Sequence, residues 1–357
     1  MKGTCAVILA ECNKTVENTD ISRYLAEVLF RPAILWVTEA CKLSGAERVG
    51  AVVGGDPAGL RGILPEDLVF GGAGDFESAG FSRIVFVRGD MPLIAASDIA
   101  AAFGNMPESG CIELIPDGDG SLAPVNCAVL SEINAVARKR VFAKLWAAGV
   151  NIPCPDGVII GPEVEIGAGT TILPGTILRG KTVVGKSCEL GPNSYLENAA
   201  VGDSCRVLST VIDSSRLEDN VKIGPMSNVR PNCVIRSGAK IGDFVEIKNS
   251  NIGEKTAVAH LTYVGDSDVG SGCNFGCGVV TVNYDGSSKY RTVIGDDVFI
   301  GCNTNLVAPV TVGDRAYTAA GSTITADVPP DSLAVARARQ VNKVNWVKER
   351  GRYNKKK

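Results

Sequence analysis

His260 is the only histidine in a chain of 357 residues. An imidazole, with a solution pKa of about 6.5, can take a proton from an ammonium or hydroxyl nucleophile at neutral pH. Lys248 follows Arg230 by 18 residues, and Glu246 alternates with Lys248 in Phe244-Val245-Glu246-Ile247-Lys248. Eighteen residues make three six-residue repeats, so if each turn of the fold takes that many, Arg230 and Lys248 stack into a two-cation site suited to a phosphate. Each feature alone also has a plain reading, a structural imidazole or solvated surface cations.

The elements that would position these groups are legible as a period. Aliphatic residues fall every sixth position at Ile160, Ile166, Ile172, Leu178, Val184, Leu190 and Leu196. They do so again at Ile223, Val229, Ile235, Ile241 and Ile247, and at Ile294, Ile300, Leu306, Val312 and, past Thr318, Ile324. A hexapeptide repeat suits a triangular coil of three short strands, each sending one side chain inward. Residues 158–330 would supply roughly nine such coils. Two departures are expected from the repeat. The segment Thr256–Tyr263 around His260 loses the register, and the polar stretch Val282–Arg291 should protrude as a loop. Flat, apolar-cored faces also favour packing against copies of the chain, with trimers and sites at the seams the natural outcome.

Ahead of the repeats, strand-like runs at Ala6–Ala10, Val49–Val53 and Ser82–Val87 alternate with helical spacing at Pro32–Leu43 and about Ala96–Phe103. That alternation implies a parallel sheet covered on both faces. Ligands in such sheets lie at the carboxyl ends of strands, which makes Asp90 a candidate metal or nucleotide ligand, or else a turn or cap residue. A helix is expected over Ile133–Ala148, closed by Gly149. The expected organisation is an α/β domain over residues 1–130, a connecting helix over 131–149, a β-helix over 150–335 and a basic arm over 336–357.

Composition narrows the function classes. With 45% apolar and 21% charged residues and a formal net charge of −3, the chain has no general attraction for nucleic acid or anionic membrane. The five Lys and Arg among residues 350–357 read as a solvated end. Cys5–Ala10 is too short for a signal-peptide core, and no apolar run approaches a membrane span, so a cytoplasmic protein is expected. The twelve cysteines are scattered without a C-x-x-C and read as reduced, small apolar fillers.

A longer constellation carries a family resemblance. It comprises Arg230-Pro231, Phe244–Lys248, His260-Leu261-Thr262-Tyr263, Asn274, Val282–Gly286, Lys289, Ile294–Gly301, Leu306–Pro309 and Ala319-Ala320-Gly321. Over about residues 150–340 it resembles the left-handed β-helix domain of the bacterial bifunctional N-acetylglucosamine-1-phosphate uridylyltransferase/glucosamine-1-phosphate acetyltransferases. The resemblance implies the handedness and a homotrimer that moves acetyl from acetyl-CoA, as co-substrate, to the amine of glucosamine 1-phosphate. It implies His260 as general base with Glu246 holding the imidazole, and Arg230, Lys248 and Lys289 on the sugar phosphate. Tyr263, Asn274 and Asn283 would contact the sugar, and Tyr284, Cys302, Ala320 and Arg337 would line the CoA channel. The family usually has Ser where Cys302 stands.

In the amino-terminal half, Arg88-Gly89-Asp90-Met91-Pro92 and Pro124-Val125-Asn126 resemble the segments that carry the family's metal-ligating residues, which implies Asp90 and Asn126 as Mg ligands if this half is active. Yet Leu9–Val16 holds no glycine where the family's nucleotide loop is glycine-rich. Backbone amides cannot approach a triphosphate as closely past side chains, and Glu11 would repel it. The half is also short between Ile115 and Ala123. Uridylyl transfer is therefore expected to be lost. The alternatives are an enzyme with both activities, or an amino-terminal half that serves as a binding or assembly module.

Overall fold

In a computed structural model, residues 3–11, 14–54 and 58–350 are described. Most of the basic tail, together with Cys12 and Asn13 of the glycine-free loop, lies outside them. The chain divides into two compact units, residues 1–200 and 201–357, so the division falls inside the repeat region.

The first unit opens with a five-stranded parallel sheet in the order Val69–Phe70, Arg48–Gly54, Thr4–Glu11, Arg83–Arg88, Gly110–Leu114. Alternation along Thr4–Glu11 explains its two covered faces. Ala6, Ile8 and Ala10 pack with Ile34, Val37, Ile99 and Phe103 of helices Ala33–Leu43 and Ala96–Asn105, while Cys5 and Val7 pack with Phe76 on the other side. The chain leaves the central strand toward one edge and returns on its other side at Arg83–Arg88. Asp90 thus stands at the switch point anticipated for a ligand.

A 21-residue helix, Cys127–Ala147, follows. It starts six residues before the expected Ile133 because Asn126 is its N-cap, accepting a hydrogen bond from the Val129 amide at 3.0 Å. Ile133 and Ala137 bury its inner face against Val28, Leu29 and Leu93. Coils then begin. Ile159–Ile160 pairs in parallel with Ile177–Arg179, and that strand with Tyr195–Glu197; Ile160, Ile172, Leu178, Leu190 and Leu196 are fully buried, while Ile166 is only partly so.

The second unit is a continuous stack of such coils, a left-handed parallel β-helix with three sheets. The expected break around His260 is not there. Ile252, Val258, Val264, Val269, Phe275 and Thr281 carry the inward column between Ile247 and Ile294, all buried. What changes is corner length: Ile247 to Ile252 and Val264 to Val269 are five-residue steps, so the coil repeat drops from 18 residues (Asn228↔Glu246) to 17 (Glu246↔Tyr263). A count in sixes loses phase there although the coil does not. Between Thr281 and Ile294 the chain does leave the prism. Tyr284–Arg291 is an exposed loop, closed by a Tyr284↔Lys289 bridge and by Asp285 accepting from the Ser287 and Ser288 amides. Past the coils, Arg337, Arg339, Lys343 and Lys348 are all exposed.

Candidate functional site

One corner of the second unit gathers the candidate chemistry. The shortened coil makes Asp243 the register partner of His260. The ladder continues upward through amide donors at the following residues: Leu261 to the Asp243 carbonyl, Gly278 to that of His260, Asn303 to that of Cys277 and Gly321 to that of Cys302. Asp243, His260, Cys277, Cys302 and Ala320 therefore form one column. The Asp243 Oδ1 lies 3.7 Å from His260 Nδ1, and 59% of the imidazole is exposed, so its Nε2 side is open to a ligand. Thr262 Oγ1 donates to the His260 carbonyl at 2.7 Å, which holds the corner.

Glu246, expected to hold the imidazole, makes a different contact here. Its carboxylate accepts from Arg230 Nη1 at 3.0 Å, and its register partner is Tyr263 on the next coil of the same sheet. The Glu246 carboxylate is thus engaged by the cation beside it, whereas the corner residue Asp243 lies directly beneath the imidazole.

Beside the column is a cation group. Arg230 and Lys248 follow the paired residues Val229 and Ile247 and stack as expected, and Lys289 reaches them from the loop. The Lys289 ammonium, and then partial burial, hold the Lys248 ammonium below its ordinary pKa. Two neighbouring ammonium groups that repel each other gain from a shared dianion. Burial pushes the Asp266 carboxyl up, but hydrogen bonds from Asn249 and Asn283 and the charges of Lys248 and Lys289 outweigh it, leaving Asp266 below the usual carboxylate range. Tyr263 lies along its own strand over Gly265, where any Cβ would overlap the phenol hydroxyl, and Asn283 Nδ2 stands 3.5 Å from that hydroxyl.

The remaining expected residues lie along the coils and the loop. Asn274 is exposed in the strand stacked between Ala257 and Phe299, on the far side of the His260 corner. Tyr284 is exposed and donates to the Gly286 carbonyl at 2.7 Å. Arg337 passes near Gly321, next to Ala320. Asp243, Asn249, Gly265 and Asp266 were not legible as site residues. Only coils of 17 residues bring Asp243 beneath His260 and put Asp266 one turn after Asn249.

Asp266 gives a stability prediction. A folded pKa below the unfolded one means stability that is present above the unfolded value, about 3.9, and lost as pH falls through the folded value. Asp266→Asn should cost roughly 1–3 kcal/mol at pH 7. Urea midpoints measured at pH 7 and again below that unfolded value should fall less for the variant than for the wild type. An equal fall would exclude the carboxylate as the source.

In the first unit both expected metal ligands are otherwise engaged. Asp90 is fully buried and its two oxygens accept from Arg88 Nε at 3.1 Å and Nη2 at 2.9 Å, which raises the Arg88 pKa. A guanidinium thus sits on the carboxylate that a divalent ion would need. Asn126 Oδ1 is committed to its helix cap. Among the described residues no group of three or more His, Cys, Asp or Glu is placed to hold a metal ion. These residues do not fit a Mg site, and no helix among the described residues is long and apolar enough to cross a membrane.

The coils carry a recognised hexapeptide repeat. The family described as bacterial transferase hexapeptide (six repeats) matches residues 214–249 and 291–326. More particularly, the chain is similar to curated bifunctional proteins named GlmU. It is 53% identical over 250 residues to the bifunctional protein GlmU of Thermoanaerobacter pseudethanolicus, covering 67% of this chain and 55% of the relative. It is 56% identical over 221 residues to the GlmU of Caldanaerobacter subterraneus subsp. tengcongensis, covering 62% and 48%. With the GlmU of Clostridium acetobutylicum it shares 51% identity over 222 residues, covering 62% and 49%. The chain thus spans about half the length of the curated relatives it matches.

Proposed function

We propose that this protein is an acetyltransferase that moves acetyl from acetyl-CoA to the amine of glucosamine 1-phosphate, in the cytoplasmic synthesis of UDP-N-acetylglucosamine for the cell wall. The observation that carries the reading is the Arg230, Lys248 and Lys289 group beside an open imidazole. The cations hold the sugar phosphate, and Tyr263 and Asn283 flank the sugar. His260 Nε2 takes a proton from the substrate ammonium, and Asp243 on the Nδ1 side steadies the resulting imidazolium. The freed amine attacks the thioester carbonyl. Collapse of the tetrahedral intermediate makes the amide and expels CoA as a thiolate, which takes up a proton.

The functional working unit of this proposal is the β-helix of residues 150–335 assembled as a homotrimer. Met226, Phe244 and Leu261 sit at successive corners in left-handed backbone conformation, each about 60% exposed. Bulky side chains are disfavoured in that conformation. An exposed apolar stripe next to His260 suits a neighbouring copy. That copy would bring Asn274 and Arg337 together with Tyr284, Cys302 and Ala320 at a shared seam for the CoA.

The test is acetyl-CoA turnover measured across a panel of amino-sugar phosphates. Glucosamine 1-phosphate should be preferred over glucosamine, and loss of that preference would remove the phosphate site from the reading. Lys248→Ala should raise KM for the sugar phosphate by roughly 10- to 150-fold, the equivalent of about 1.5–3 kcal/mol for a charge-assisted partner. KM for acetyl-CoA should stay nearly constant. Equal weakening of both would assign the cations to the CoA phosphates instead.

A further inference from the structure

The column that carries His260 also carries two thiols. Between residues 201 and 357 the cysteines are Cys205, Cys233, Cys273, Cys277 and Cys302. The first three are buried, while Cys277 is partly exposed and Cys302 exposed, all as free thiols. The two accessible ones are also the two that stack. Asn274 and Phe275 pair with Phe299 and Ile300, and the Asn303 amide donates to the Cys277 carbonyl at 2.7 Å, so Cys277 and Cys302 hold the same place on adjacent coils.

Neighbouring strands lie about 4.8 Å apart, within the roughly 4.4–6.8 Å Cα separation that a disulfide spans. A Cβ built on Gly276 would stand 2.9 Å from the Cys302 sulfur. That sulfur therefore lies down over the coil that bears Cys277. Gly278 and Asn303, directly after the two cysteines, both take the left-handed corner conformation, so the two thiols leave equivalent backbone positions.

We propose that Cys277 and Cys302 form a redox-active dithiol, closed to a disulfide by a low-molecular-weight disulfide, which shuts the transfer site beside His260. The Cys302 thiolate attacks one sulfur of the incoming disulfide, and the other half leaves as a thiolate. The Cys277 thiolate then attacks the Cys302 sulfur of the mixed disulfide and expels the second half. The two cysteines lose two electrons and two protons, and the small disulfide is reduced to two thiols. Closure binds the coil directly above His260 to the next one, where the thioester would lie. The regulatory half of this inference rests on the acetyltransferase reading; the disulfide itself does not.

The experiment treats the full-length protein with CoA disulfide or oxidised glutathione, maps its peptides by mass before and after dithiothreitol, and assays acetyl transfer on the same samples. The expected map links Cys277 to Cys302, with acetyl transfer lost on oxidation and recovered on reduction. Cys277→Ala should retain transfer in the reduced state and form no internal bridge. Absence of the Cys277–Cys302 link while both thiols remain open to alkylation overturns the dithiol. A link that leaves transfer unchanged overturns the switch. If the reduced protein transfers no acetyl, the acetyltransferase reading fails while the peptide map still decides the disulfide.

Discussion

Replacing His260 with Ala is expected to lower kcat for acetyl transfer by about 10²- to 10⁴-fold, the range lost with a general base. The imidazole is largely exposed at a corner whose inward neighbours, Val258 and Val264, hold the coil without it. The melting temperature should therefore scarcely change. Asp243→Asn separates the two carboxylates: a half-exposed pair at 3.7 Å is worth no more than about 1 kcal/mol, so kcat should fall by roughly fivefold at most, with KM for the sugar phosphate unmoved. Glu246→Gln should act instead on KM, because its carboxylate orients Arg230. Activity of His260→Ala within a few-fold of wild type would make the imidazole structural and remove the proposed mechanism.

Uridylyl transfer is the second large effect, expected as an absence. With UTP, Mg²⁺ and N-acetylglucosamine 1-phosphate, pyrophosphate release should stay far below the common enzyme range of roughly 1–10³ per second. Phosphoryl chemistry of this kind is positioning plus charge stabilisation, so it needs a phosphate-cradling loop and metal ligands together. Here the loop has no glycine, Arg88 occupies both oxygens of Asp90, and Asn126 caps a helix. Arg88→Ala supplies an independent reading. Leaving the buried Asp90 charge without its partner should cost about 3–5 kcal/mol of stability, read as a lower urea midpoint. Pyrophosphate release in that turnover range, abolished by Asp90→Ala, would restore the two-activity alternative.

How much of this was legible follows from the kind of signal each feature leaves. Ile160 to Leu196 and Ile223 to Ile247 announce a β-helix because every inward residue answers to the same local rule, one apolar side chain per short strand. The stack of Arg230 on Lys248 was equally legible, since a fixed 18-residue coil turns sequence distance into spatial adjacency. The parallel sheet was readable from runs such as Ala6–Ala10, which are buried on both faces.

The sequence by itself therefore determined the repeat, the α/β sheet, the loop before Arg291 and the residue types available for catalysis. Tertiary structure decided their partners. A five-residue corner changes nothing in composition, yet it moves every later residue by one place against the coil below, which puts Asp243 rather than Gly242 under His260, while the length of the protruding loop sets Cys302 above Cys277. Asp90 and Asn126 show the same limit in the first unit. Both residues match a metal-ligand pattern by type and position, but whether a carboxylate meets an ion or a guanidinium, and whether an amide reaches a ligand or a helix terminus, depends on which donor the folded backbone brings within hydrogen-bond reach.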